Sequence, residues 1–206
     1  MPGTRYSIEW EELILREPAV CGPGAAPGGP FAASSELAAA APRLAAWYNE
    51  PVNRALMTNQ VAFTAGDIIE RFNELQRAGD RPFLLYRGGE LVGDGDHRNL
   101  TLESAEYAVL IGPREAQAKG LGTRFSALAL ALAFGPLGLR RIFASVIPAN
   151  RGSLRMFEKL GFRRDDSPEA RRCADAADDV CLSIDERTFG ERHAQALACS
   201  RVSVDS

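Results

Sequence analysis

Hydrophobic and polar positions follow two periods along the chain, and the switches between them mark its elements. In residues 64–79, TAGDIIERFNELQRAG, Ile68, Ile69, Phe72 and Leu75 recur at helical spacing and Gly79 can close the end, which predicts a helix. Residues 81–96, RPFLLYRGGELVGDGD, hold two short apolar runs joined by Arg87, Gly88, Gly89 and Glu90, the pattern of a β-hairpin. A further strand is expected over 105–111, AEYAVLI. Downstream, TRFSALALALAFGPLG alternates Leu and Ala with period two, which on pattern alone suits a strand. Propensity points the other way: Ala and Leu are the strongest helix formers, and a run apolar on every side suits a helix packed on a sheet. RRIFASVI then predicts a strand, NRGSLRMFEKLGF a helix ending at Gly161, and DDVCLSIDERTF a last strand.

The N-terminal part is less regular. The triplet Leu13, Ile14, Leu15 within IEWEELILRE predicts a first strand or the end of a short helix. Residues 21–33, rich in Gly, Pro and Ala, fit a mobile surface loop. In SSELAAAAPRLAAWYNE, Ser34 or Ser35 is an N-cap candidate and Leu37, Leu44 and Trp47 lie at near-helical spacing, with Pro42 interrupting, so one or two short helices are expected. The sum is an α/β chain with a mixed sheet, one domain over residues 8–190, followed by a polar C-terminal tail over 191–206.

Composition removes several classes of function. A chain of 206 residues with 46% hydrophobic and 25% charged residues is that of a globular domain. A net charge of -3 gives no electrostatic grip on a nucleic-acid backbone. The four cysteines, Cys21, Cys173, Cys181 and Cys199, include no pair at zinc-like spacing, no metal is implied, and reduced thiols in a cytoplasm are expected. The most apolar stretch, FSALALALAF, is half the roughly 20 residues a membrane-spanning helix needs, so it belongs in a core.

The candidate chemistry lies after the strand YAVLI, in EAQAKGLGTRF. N–H groups at a helix start have no intrahelical partners, and the aligned peptide dipoles put partial positive charge there, so that end attracts anions. Gly120 and Gly122 lack side chains, which lets a diphosphate approach the main chain of Ala118, Lys119, Gly120, Leu121, Gly122 and Thr123; Lys119, Arg114 and the Thr123 hydroxyl can add to the grip. A tight strand-to-helix connection asks for the same glycines. Two common nucleotide motifs fit poorly. A P-loop has Lys-Ser or Lys-Thr after its last glycine, where Thr123 and Arg124 stand, and a dinucleotide fold needs an acidic residue about twenty positions on.

Gln117, Gly120 and Gly122 match motif A of the GNAT superfamily of N-acyltransferases, which the chain resembles. One strand later, Asn150, Ser153, Phe157, Gly161 and Phe162 of NRGSLRMFEKLGF match that superfamily's second signature. WYNEPVNRALM and GGELVGDGDHRNL look like the helical segment and central hairpin of its RimJ/RimL-like branch, so the likeness runs from about Leu13 to Phe189. The resemblance implies a GNAT-type mixed sheet flanked by helices, with two parallel strands splayed around acetyl-CoA. It implies that coenzyme A owns the phosphates, that main-chain groups of Val109, Leu110 and Ile111 pair with the pantetheine arm, that Asn150, whose plainer and compatible role is a helix cap, holds that arm or an ordered water, and that Ser153 reaches the arm or a phosphate. A main-chain N–H near Leu110 or Ile111 is the implied oxyanion donor. The implied reaction is attack of a primary amine, on a small molecule or a protein N-terminus, on the thioester; such a fold also admits a homodimer.

An α-amine (reference pKa about 7.7–8.0) is partly neutral near pH 7.5 and a lysine amine (about 10.4) is not, so a general base matters most for the second. Glu106 is the base the resemblance implies, and an ordinary charged strand residue is the plainer role, with Glu103 placed alike. Asp94 and Asp96 offer cation recognition or a turn signal, His97 a titration range suited to proton transfer or an incidental loop residue, and His193 falls in the tail. Phe157 stands where many relatives carry a tyrosine that protonates the departing thiolate, so that donor is absent. An acyl-CoA-binding sensor without catalysis is therefore the rival reading.

Overall fold

The computed structural model describes residues 4–19, 33–57 and 61–205. The chain opens with a hairpin, β1 (Arg5–Trp10) and β2 (Leu13–Arg16), whose inward Ile8, Leu13 and Leu15 are fully buried. Of the expected loop over 21–33, residues 21–32 lie outside the described residues.

Helix α1 (Ser35–Asn49), capped by the Ser34 hydroxyl, is one continuous helix. Pro42 does not interrupt it as expected. Ala38 and Pro42 both lie on the exposed side, so the carbonyl that loses its N–H donor faces water, while Leu37, Ala41 and Leu44 stay packed. After α2 (Pro51–Ala55) comes α3 (Ala65–Ala78), with a reciprocal capping box between Thr64 and Asp67 and Gly79 closing its end.

The long hairpin β3 (Arg81–Arg87) and β4 (Glu90–Arg98) leads to β5 (Ser104–Ile111), a 3-10 turn at Arg114–Ala116 and α4 (Leu121–Phe134). The period-two run is thus a helix, and every residue from Phe125 to Phe134 is buried. Then follow β6 (Arg141–Val146), α5 (Arg151–Leu160), β7 (Arg163–Arg164), α6 (Pro168–Arg171), β8 (Val180–Asp185), α7 (Glu186–Cys199) and β9 (Arg201–Asp205). The segment from residue 191, expected as a polar tail, instead continues α7 and ends in β9, which pairs antiparallel with β1. His193 accordingly packs inward, stacked on Phe189 with Nε2 3.0 Å from the Leu160 carbonyl.

These strands form one mixed sheet in the order β7-β8-β6-β5-β4-β3-β2-β1-β9, with β5–β6 its parallel pair. Alternation along each strand feeds two layers. Phe83, Leu85, Val92 and Tyr107 meet α4 and α7 on one face, whereas Leu84 and Leu91 meet α1 and α3 on the other. Arg124, one turn into α4, pairs with Glu11 at 2.6 Å and Glu12 at 2.8 Å in the β1–β2 turn, so the start of α4 is tied to the hairpin. Cys173, Cys181 and Cys199 are free thiols, and among the described residues no helix is long and apolar enough to cross a membrane.

Candidate functional site

Strands β5 and β6 pair only through Ser104–Glu106 against Arg141–Phe143. Past that point β5 stays with β4 as far as Ile111 and β6 stays with β8 as far as Val146, so the two part company. Main-chain N–H and C=O groups of Tyr107–Ile111 that point away from β4 therefore have no strand partner. A cleft of about 680 Å³ occupies the gap, lined by Tyr107–Ile111 and Ser145–Ile147 and, on α5, by Ser153, Met156 and Phe157. Val109, Leu110 and Ile111 thus lie where a linear ligand can extend the sheet.

The start of α4 adjoins the wall of the cleft, since a Cβ on Gly122 would lie 3.7 Å from Ile111 Cγ1 and Ile111 lines the cleft. Gly120 is the N-cap residue with φ +79°, no side chain caps the helix, and no heavy atom lies within 4 Å of where its Cβ would stand. The N–H groups of Leu121, Gly122 and Thr123 are the unpaired donors of that first turn. Ala118 also has a positive φ, +57°. Gly122 serves packing: a Cβ there would come within 3.1 Å of Met156 Sδ, so the glycine lets α5 approach α4. Leu121 buries its side chain, and Lys119 is exposed.

Gln117 is a strut. Its Nε2 donates to the Ile111 carbonyl at 2.7 Å and to Asn53 Oδ1 at 2.8 Å, while its Oε1 accepts from Arg114 at 2.7 Å. Asn53, 3% exposed, donates in turn to the carbonyls of Trp47 at 3.0 Å and Gly112 at 3.2 Å. Sequence reasoning missed Asn53 and Gly112. Their signal is a polar residue inside the otherwise apolar WYNEPVN segment and a glycine directly after β5, where a Cβ would lie 2.0 Å from the Trp47 ring.

On the α5 side, Asn150 caps the helix through Oδ1, accepting from Ser153 N–H at 3.0 Å, and its Nδ2 donates to the Leu56 carbonyl at 3.2 Å. Both ends of the amide are occupied within the protein. Phe157 is buried edge-on to Tyr107 and Phe162. The nearby Tyr107 hydroxyl donates to Ser126 at 3.0 Å, and burial raises its pKa.

The sequence-derived acids and bases are spread over two faces of the sheet. Glu106, 4% exposed, is closed off: Oε1 pairs with Arg98 at 3.1 Å and Oε2 accepts from Asn99 at 3.0 Å. Burial raises its pKa and Arg98 opposes that rise. The GDGD run is strand, not turn. Gly93 and Gly95 are required there because Cβ atoms would collide with the Leu110 and Ala108 carbonyls of β5 at 1.9 and 2.7 Å. Asp94 accepts from the Tyr48 hydroxyl at 2.9 Å, and burial above all lifts its pKa to about 7. Asp96 lines the cleft on the same face, its pKa also raised by burial. His97 is no loop residue: fully buried against α4, its Nε2–H donates to the Ala129 carbonyl at 2.9 Å, and burial depresses its pKa to about 4. Glu103 is exposed.

Residues 35–163 match the model of the acetyltransferase (GNAT) domain. No curated protein matches the chain by sequence. Mycobacterium smegmatis RimJ in complex with CoA-disulfide superposes with a TM-score of 0.68 at 18% identity, covering 97% of this chain and 97% of that one. The aminoglycoside acetyltransferase AAC(6')-Ib in complex with coenzyme A gives 0.63 at 20% identity, covering 76% of this chain and 95% of that one. For the ribosomal-protein-S5-alanine acetyltransferase from Vibrio fischeri the values are 0.61 and 17%, covering 87% and 96%.

Proposed function

This chain belongs to the GNAT acetyltransferase family, and from that premise we propose that it moves the acetyl group of acetyl-CoA to a primary amine of a small molecule or a protein N-terminus, in the cytoplasm. The observation that carries the reading is the parting of β5 from β6 directly beside the uncapped, glycine-started N-terminus of α4. Free N–H groups of Leu121, Gly122 and Thr123, with the turn from Ala118, receive the diphosphate, and Lys119 adds charge from the rim. The pantetheine arm lies along Val109, Leu110 and Ile111 as an added strand, passing Ser153 and Phe157 on α5. Two of the similar structures, RimJ and AAC(6')-Ib, are complexes with a coenzyme A species, which supports the assignment.

With the thioester fixed in the gap, catalysis rests first on bringing amine and carbonyl together, and a main-chain N–H at Leu110 or Ile111 steadies the oxyanion. Phe157 donates no proton to the departing thiolate. Because a thiol of reference pKa about 8.5 is a fair leaving group near neutrality, loss of that donor costs on the order of 1.4 kcal/mol, a slower enzyme and not an inert one. The same absence favours the second reading, a sensor that binds acyl-CoA without turning it over. Release of free thiol from acetyl-CoA in the presence of primary amines separates them. The transferase reading expects amine-dependent release; binding of acetyl-CoA with no amine-dependent release across α-amines, lysine-type amines and amino sugars leaves only the sensor.

A further inference from the structure

The two edges of the sheet differ. β7 is two residues long, Arg163–Arg164, and both are exposed, so that edge is short and charged. β9 is five residues long, pairs with β1 without a register shift, and contains neither proline nor lysine. Among the described residues no strand lies on its outer side, so alternate main-chain N–H and C=O groups there have no ladder partner. Val202 and Val204 stand opposite Ile8 and Tyr6 of β1, and cross-strand partners share a face, so both lie on the face that α4 and α7 cover. They are nonetheless 40% and 57% exposed, at the open margin of that layer.

What fits this edge is written in its own sequence. RVSVD is basic at its first position, acidic at its last and symmetric between them about Ser203. A second copy laid antiparallel and centred on Ser203 sets Arg201 opposite Asp205, Val202 opposite Val204, and the two Ser203 residues opposite each other. Of the antiparallel registers, this one alone pairs all five residues. Across the junction the charged row reads Glu9 and Arg201, then Asp205 and Arg5 of the second copy, unlike at every step. The apolar row reads Ile8 and Val202, then Val204 and Tyr6 of the second copy, and covers the exposed valines. The contact uses one patch twice, so it closes at two chains. We propose that the protein self-associates through β9, two copies pairing antiparallel about Ser203 into one continuous sheet. Five residues a side make a small interface, so the dimer is weak and depends on concentration. Four strands, β4 to β1 in sheet order, separate β9 from β5, so the pairing leaves the cleft between β5 and β6 untouched.

The test is analytical ultracentrifugation of the full chain over about a hundredfold range of concentration, reaching hundreds of micromolar, where an interface of this size is populated. Wild type should move from one chain toward two as concentration rises. Val202→Lys and Val204→Glu, each at an exposed position, should sediment as single chains throughout, because each sets a charge against a valine of the second copy. Far-UV circular dichroism matching wild type shows that the variants are folded. An equimolar mixture of Val202→Lys and Val204→Glu should associate again, since the two new charges then stand opposite and attract. A wild type that stays a single chain at the highest concentration, a variant that dimerises alone as wild type does, or a mixture that stays monomeric overturns the assignment.

Discussion

Gly120 and Gly122, two residues apart in one motif, answer to different constraints, and substitution should separate them. At Gly120 a side chain meets open space but a left-handed backbone, so Gly120→Ala is strained by about 1 kcal/mol and Gly120→Asp adds a repelling charge at the proposed phosphate position. Gly122→Ala meets only the flexible Met156 thioether, at 3.1 Å, and adds helix propensity, so it should change stability little and leave the helix start in place. The sequence showed both glycines alike; the partner that distinguishes them lies on α5, beyond the reach of local pattern. Asn150 carries a similar lesson. With Oδ1 on Ser153 and Nδ2 on Leu56, Asn150→Ala should destabilise the protein by about 1 kcal/mol, read in a denaturant titration. An unchanged midpoint with weakened acetyl-CoA binding would show instead that the amide serves the ligand. The two buried groups on β4 predict opposing pH effects. Asp94 is raised from 3.8 to about 7, so its contribution is complete below pH 3.8 and is lost as pH rises through 7. His97 is lowered from 6.5 to about 4, so its contribution is present above pH 6.5 and is lost as pH falls through 4. In Asp94→Asn the first loss disappears, and the melting temperature should decline less than that of wild type between pH 4 and 8. Parallel profiles would place the titration elsewhere.

At the scale of elements, hydrophobic period predicted α3, which buries one side, whereas β3 and β4, buried on both faces, were legible as two short apolar runs joined by a glycine turn, and β5 as a third such run. Helix α4 needed propensity instead, since a run buried on all sides has no period to read. Pro42 misled because its cost is one hydrogen bond on the wet side, less than the packing that the rest of α1 retains. Strand β9 was invisible for another reason. RVSVD does alternate, but only over five residues and with Val202 and Val204 exposed, so no buried face marks it, and its pairing partner is the edge of β1, far away in sequence. Ending the chain after Ser200 should therefore lower the melting temperature modestly and leave acetyl-CoA binding intact, because β9 and the β5–β6 gap lie at different parts of the sheet. A truncation that abolishes binding would show coupling across the whole sheet.

For the molecule as a whole, the mixed sheet and the position of the gap followed from two motifs separated by one helix and one strand, together with the family likeness they carry. The acid–base layout did not. Glu106 and Asp96 are both carboxylates on strands in the sequence, and only the register that sets Arg98 opposite Glu106 shows that one guanidinium faces both, Glu106 at 3.1 Å and Asp96 at 3.4 Å. The central claim is that the α4 N-terminus and the adjoining gap hold acetyl-CoA, and ligand-induced thermal stabilisation tests it without knowledge of the acceptor. A ligand that binds the native state alone stabilises it by RT ln(1 + [L]/Kd), so millimolar acetyl-CoA should raise the melting temperature of the wild type and fail to raise that of Gly120→Asp. A wild-type transition that does not move, or an equal rise in Gly120→Asp, would contradict the account.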